Sequence, residues 1–134
     1  MLRSLPGADP GTAADGERLV KRALELFKDH LSTSTMRNVT IAVGEVAGLQ
    51  VAVVYHPIQQ KAERLAGKLR KGGVAATATS GDDHAEVALY QREPNVPVIG
   101  LSNPKGPCPA CRKFFGNTPN GFANVYWDTD GWIR

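Results

Sequence analysis

Four residues have the types and spacing from which chemistry can be built. His84 and Glu86 stand within His84-Ala85-Glu86, and Cys108 and Cys111 stand within Pro107-Cys108-Pro109-Ala110-Cys111. Cysteines three apart at the start of a helix lie on one face and can grip one ion between two thiolates. A helix N-terminus favours negative charge, which helps both sulfurs stay deprotonated. Two thiolates and one imidazole make three ligands, one fewer than a closed tetrahedral zinc site needs, so the fourth position is open to water. Zinc lowers the pKa of such a water from about 15.7 towards about 7. Glu86 need not bind the ion and is placed to move the protons.

Each part alone has a plainer reading. A lone C-x-x-C can be a thioredoxin-like redox pair or a structural zinc module. A lone histidine at a helix start can be a surface or capping residue, and a glutamate in a first turn can simply answer the helix dipole. It is the conjunction, with a helix start expected at both halves, that points to one metal site.

The elements that must position these residues can be read from periodicity. Val20, Ala23, Leu24, Phe27 and Leu31 mark an amphipathic helix over 15–31. Residues 39–46 and 49–55 are rich in β-branched and apolar types around Ala47-Gly48, which predicts a β-hairpin, and Pro57 ends its second strand. Ile58, Ala62, Leu65 and Leu69 share one face of a second helix, stopped by Gly72-Gly73. Lys61, Arg64, Lys68 and Lys71 share the opposite face, a stripe that reads either as a solvated surface or as a set of phosphate contacts. An extended piece follows over 74–79, and Ser80-Gly81-Asp82-Asp83 is a turn leading into a helix from about His84 to Arg92. Residues 98–101 read as a buried strand, 102–107 as a loop, Cys108 onward as a helix, and 123–127 as a last strand.

A chain of 134 residues with 42% hydrophobic and 22% charged residues fits one globular domain. Residues 1–14 read as a flexible leader or linker remnant, and 15–134 as the domain. No apolar run approaches the roughly 20 residues of a membrane span, and no secretory signal is read at the start. Two cysteines three residues apart argue against a disulfide scaffold. The net charge of +3 suits an acidic partner without specifying one. His30 reads as a helix-end residue, and His56 as either a turn residue or one facing a substrate.

The H-x-E and P-C-x-x-C pair, in this order of elements, resembles the cytidine deaminase-like superfamily. Within it, the loop Ser102-Asn103-Pro104-Lys105-Gly106-Pro107-Cys108 is similar to that of the deaminase domains of bacterial polymorphic toxins, several of which act on cytosine in DNA. The resemblance runs from about Asp15 to the end. It implies a three-layer α/β/α fold, a mixed sheet flanked by helices, with the active site where the two metal-bearing helices begin. It implies one zinc ion per chain on His84, Cys108 and Cys111, Glu86 as the catalytic proton carrier, and hydrolysis of cytosine to uracil in single-stranded DNA or at a flipped-out base. RNA adenosine or cytidine and free nucleosides are the alternative substrates.

Substrate contacts are expected from Tyr55, His56, Ala85, Ser102, Asn103, Lys105, Tyr126 and Trp127. The last two border a loop that in polynucleotide deaminases touches the flanking nucleotide. Their alternative reading is as alternating sheet residues, one of them in the core. Asn103 before Pro104 is also an ordinary turn residue. The basic-striped helix is an insertion relative to free-nucleoside deaminases, which the chain does not resemble outside the metal motif. Toxin membership further implies a cognate immunity protein, delivery within a larger secreted polypeptide, action in the cytoplasm of a target bacterium, and no membrane partner.

Overall fold

The computed structural model of the protein describes residues 1–30 and 39–131. Six strands form one mixed sheet, in the order β1 (Leu2–Ser4), β6 (Val125–Asp128), β5 (Ile99–Leu101), β2 (Thr40–Val46), β3 (Leu49–Tyr55), β4 (Ala75–Thr79). β3 and β4 run parallel, as do β5 and β6, while β2 is antiparallel to both its neighbours. The hairpin turn at Ala47-Gly48 has positive φ at both residues, 52° and 80°, the backbone twist that two-residue hairpins need.

The strands alternate their side chains between two cores. Ile41, Val43, Ala52, Val54 and Tyr126 face helices α1 (Ala13–His30) and α2 (Gln59–Lys71). Ala42, Val53, Val125 and Trp127 face the opposite layer, helices α3 (Ala85–Arg92) and α4 (Pro109–Gly116). This two-sided burial gives a three-layer α/β/α fold. Each fully buried Leu, Ile or Phe in it contributes roughly 1.5–3 kcal/mol of transfer free energy. Close packing of α1 depends on Gly100, where a β-carbon would come within 2.4 Å of the Leu19 backbone.

Expected and observed elements agree to within two residues at almost every boundary, although Leu31, the expected end of α1, lies outside the described residues. The N-terminal segment departs from expectation. Leu2–Ser4, assigned to a flexible leader, instead forms edge strand β1 on β6, Leu5 is buried, and Pro10–Thr12 makes a 3-10 turn into α1. Sequence pattern missed this strand because three residues are too few to show a period of two, and its partner lies at the other end of the chain. No helix among the described residues is long and apolar enough to cross a membrane.

Candidate metal centre and adjoining cavity

The loops leaving β3, β4 and β5 gather at one end of the sheet, the strand ends beyond which open α/β sheets place their sites. The loop after β4 delivers His84, and the loop after β5 delivers Cys108. Each is the N-cap residue of its helix, and neither uses its side chain to cap. Pro109 at the first position of α4 suits a helix start, since its missing N–H has no partner to lose. The positive ends of α3 and α4 thus open towards the two sulfurs.

His84 Nδ1 is 3.1 Å from Cys111 Sγ and 3.3 Å from Cys108 Sγ, and the two sulfurs are 3.3 Å apart. Among the described residues these three form a group able to hold a metal ion. Cys111 is buried and Cys108 half-buried, and both thiols are free. Burial pushes the Cys111 thiol well above its ordinary range, helped by the neighbouring Glu86 carboxylate and by Cys108.

A cavity of about 210 Å³ adjoins the triad, lined by residues that include Thr40, Tyr55, Glu86, Asn103 and Gly106. Glu86 lies in the first turn of α3 and is only 5% exposed. Burial raises its carboxyl above the usual range, against the opposing pull of its own backbone N–H, His84 and Cys111. Tyr55 packs edge-on against the His84 ring, centroids 5.0 Å apart, and its hydroxyl donates to the Gly81 carbonyl at 2.7 Å. Burial chiefly, with the nearby Asp82, Cys108 and Cys111, pushes the Tyr55 phenol up, so it stays a donor. Ala85 is buried in the cavity wall.

The other expected substrate contacts divide. Asn103 lines the cavity with its Oδ1 accepting from the Lys105 N–H at 2.9 Å, which leaves its amide NH2 as the group to offer a ligand. Lys105 is exposed and does not line the cavity. Ser102 is buried, and its hydroxyl accepts from the Ile41 N–H at 2.9 Å, extending the β2–β5 pairing by one step. His56 is also buried outside the cavity lining, and its Nδ1 accepts from the Ile58 N–H at 2.9 Å. Burial, with Lys61 nearby, lowers its pKa.

Tyr126 and Trp127 follow the sheet-residue reading, and both are buried. Tyr126 points to the α1 side, across the sheet from the cavity, where its hydroxyl meets Thr12 and the Asp9 carbonyl. Trp127 lies in the core beneath Gly106, with the Arg112 guanidinium 5.3 Å from its ring centroid. Lys61, Arg64, Lys68 and Lys71 are exposed on α2 and none lines the cavity.

Thr40, Pro57 and Gly106 line the cavity without having been expected there. Thr40 was within reach of sequence reasoning, because counting outward from the Ala47-Gly48 turn sets it opposite Tyr55, its observed partner. Comparison with protein-family models, curated proteins and solved structures returned no match.

Proposed function

We propose that the protein is a zinc-dependent hydrolytic deaminase acting on cytosine in a polynucleotide, most simply DNA. The observation that carries this reading is a cluster of one imidazole and two thiols, of which His84 and Cys108 line a cavity that the buried Glu86 carboxyl also lines.

The donor set fits zinc. Tetrahedral coordination at ordinary zinc–sulfur and zinc–nitrogen lengths separates ligand atoms by roughly 3.5–3.8 Å. The observed 3.1–3.3 Å needs an outward movement of only a few tenths of an ångström. Imidazole with thiolates is a borderline-soft set that suits zinc better than magnesium or calcium. His84, Cys108 and Cys111 would hold the ion, which when bound by three protein ligands would supply Lewis-acid activation of water near neutral pH.

Glu86 performs the proton transfers. Its carboxylate takes a proton from the attacking water and delivers it to the ring nitrogen, then takes the second proton from the hydroxyl now bonded to C4 and delivers it to the departing amine. The oxygen of water forms the new bond at C4, the C4–N bond breaks, and uracil and ammonia leave. The cavity is smaller than the roughly 300–1,000 Å³ of drug-sized ligand sites, which suits one base rather than a whole nucleotide. A base stacked in a duplex cannot reach it, so the target must be single-stranded or flipped out. The toxin context, with its immunity partner and delivered site of action, is the biological setting we propose for this activity, on the loop 102–108.

Incubating the protein with single-stranded DNA, duplex DNA, RNA and free nucleosides, then scoring uracil and inosine, tests the reading. Uracil in DNA is the expected product. Turnover of free cytidine alone would overturn the polynucleotide assignment, and no turnover of any substrate by zinc-loaded protein would overturn the deaminase assignment.

A further inference from the structure

We infer that Tyr55 is a positioning residue that holds the His84 imidazole in register with the two sulfurs, an inference that rests on the metal-binding reading of the site. The turn that carries His84 is exposed from Gly81 to Asp83 and passes through a left-handed Gly81 at φ 65°. Two bonds within the segment, from the Thr79 hydroxyl to the Asp83 carbonyl at 2.7 Å and from the Asp83 N–H to the Ser80 carbonyl at 3.2 Å, close the turn on itself. Neither fixes the direction of the imidazole. Among the described residues, the hydrogen bonds of that ring run to the sulfurs alone, and His84 makes no side-chain cap.

Tyr55 supplies what is missing, from a rigid base. It ends β3, an interior strand paired on both sides. Its hydroxyl holds the Gly81 carbonyl, three residues before His84, while its ring meets the imidazole nearly perpendicular, at 79°. One side chain therefore contacts the turn at two points, the Gly81 carbonyl and the imidazole ring itself. Metal-binding histidines usually gain such orientation from a group bonded to the second ring nitrogen. Here the contact is made by an aromatic edge together with a backbone tether.

Zinc affinity, measured by competition with a chromophoric chelator, separates this role from a general structural one, and the absorption spectrum of Co2+-loaded protein reports donor geometry alongside. Tyr55→Phe removes one oxygen and is expected to weaken zinc binding at least about tenfold, the lower end of what losing a ligand-orienting group does. Tyr55→Leu is expected to weaken it further and to alter the Co2+ spectrum; should that variant not fold, Tyr55→Phe alone carries the test. Tyr126→Phe is the control, since it removes a hydroxyl of similar bonding on the far face of the sheet. It is expected to keep wild-type affinity. The inference is overturned if Tyr55→Phe binds zinc as tightly as wild type, or if Tyr126→Phe loosens it equally. Wild-type protein that takes up no zinc overturns the metal-binding reading itself, a result distinct from either.

Discussion

Gly106 lies so close to Trp127 that a β-carbon on it would stand 2.4 Å from the indole. Gly106 also has φ 71°, which side-chain-bearing residues rarely adopt. Arg112 reaches across the same indole and donates from Nε to the Pro107 carbonyl at 2.9 Å. The segment immediately before Cys108 is thereby seated on β6 and tied to α4. Trp127 is thus a floor beneath the loop that leads to Cys108.

Replacing Gly106 with alanine should therefore disturb the site as well as the fold. The left-handed backbone alone costs roughly 1–2 kcal/mol for an L-residue. Gly106→Ala is expected to lower both thermal stability and zinc affinity, read by a melting curve and by chelator competition. If both equal wild type, the loop is not seated as described.

Glu86→Gln preserves shape and removes the proton carrier. We expect deamination to fall by about 10²–10⁴-fold, the usual contribution of general acid–base catalysis. Zinc content should stay at wild-type level, because Glu86 is outside the ligand group. Undiminished uracil release by this variant would end the proton-carrier assignment.

Metal binding should depend on pH. The Cys111 thiol is pushed up by burial, so in the metal-free protein it holds its proton at neutral pH and must release it to the solution on binding zinc. Affinity is expected to rise between about pH 6.5 and about pH 8, and chelation should lower the melting temperature by mass action. A pH-independent affinity over that range would contradict thiolate ligation.

His56 supplies a separate pH effect on stability. Its folded pKa lies below its ordinary 6.5, lowered first by burial and then by Lys61. Protonation would also remove the acceptor that Ile58 uses. Below pH 6.5 the unfolded chain takes a proton that the native state refuses, so stability present above that pH is lost as pH falls towards the folded pKa. In denaturant titrations from about pH 7.5 to about pH 5, His56→Gln should show a shallower loss than wild type; equal slopes would assign the effect elsewhere.

The α2 stripe tests the polynucleotide reading. Changing Lys61, Arg64, Lys68 and Lys71 together to glutamine should flatten the dependence of DNA affinity on salt concentration, by about 0.7–0.9 in log–log slope for each phosphate no longer neutralised. An unaltered slope returns the stripe to a solvated helix face.

The candidate metal-binding group and the nearby Glu86 were legible in the sequence because the relations within each half are local. Two helix starts, each marked by turn residues or proline, carry His84, Glu86, Cys108 and Cys111 at helix-face spacing, and the hairpin register follows from its two-residue turn. Side-chain direction in the strands was not legible in the same way. Adjacent strand residues face opposite layers, and the assignment of layers depends on how the helices cover the sheet. That is why Tyr126 joined the α1 core and Trp127 the core beside the site.

The same distinction separates what the sequence by itself determined from what tertiary structure decided. Spacing along the chain singled out the His84, Cys108 and Cys111 group and the elements that carry it. Only the folded sheet, by aligning the ends of β3, β4 and β5, brought His84 to the cysteines and set Tyr55 against it. It also turned Ser102 and His56 inward to backbone partners and recruited residues 2–4 as an edge strand. Those outcomes depend on pairings between distant segments, whose partners no local pattern can name.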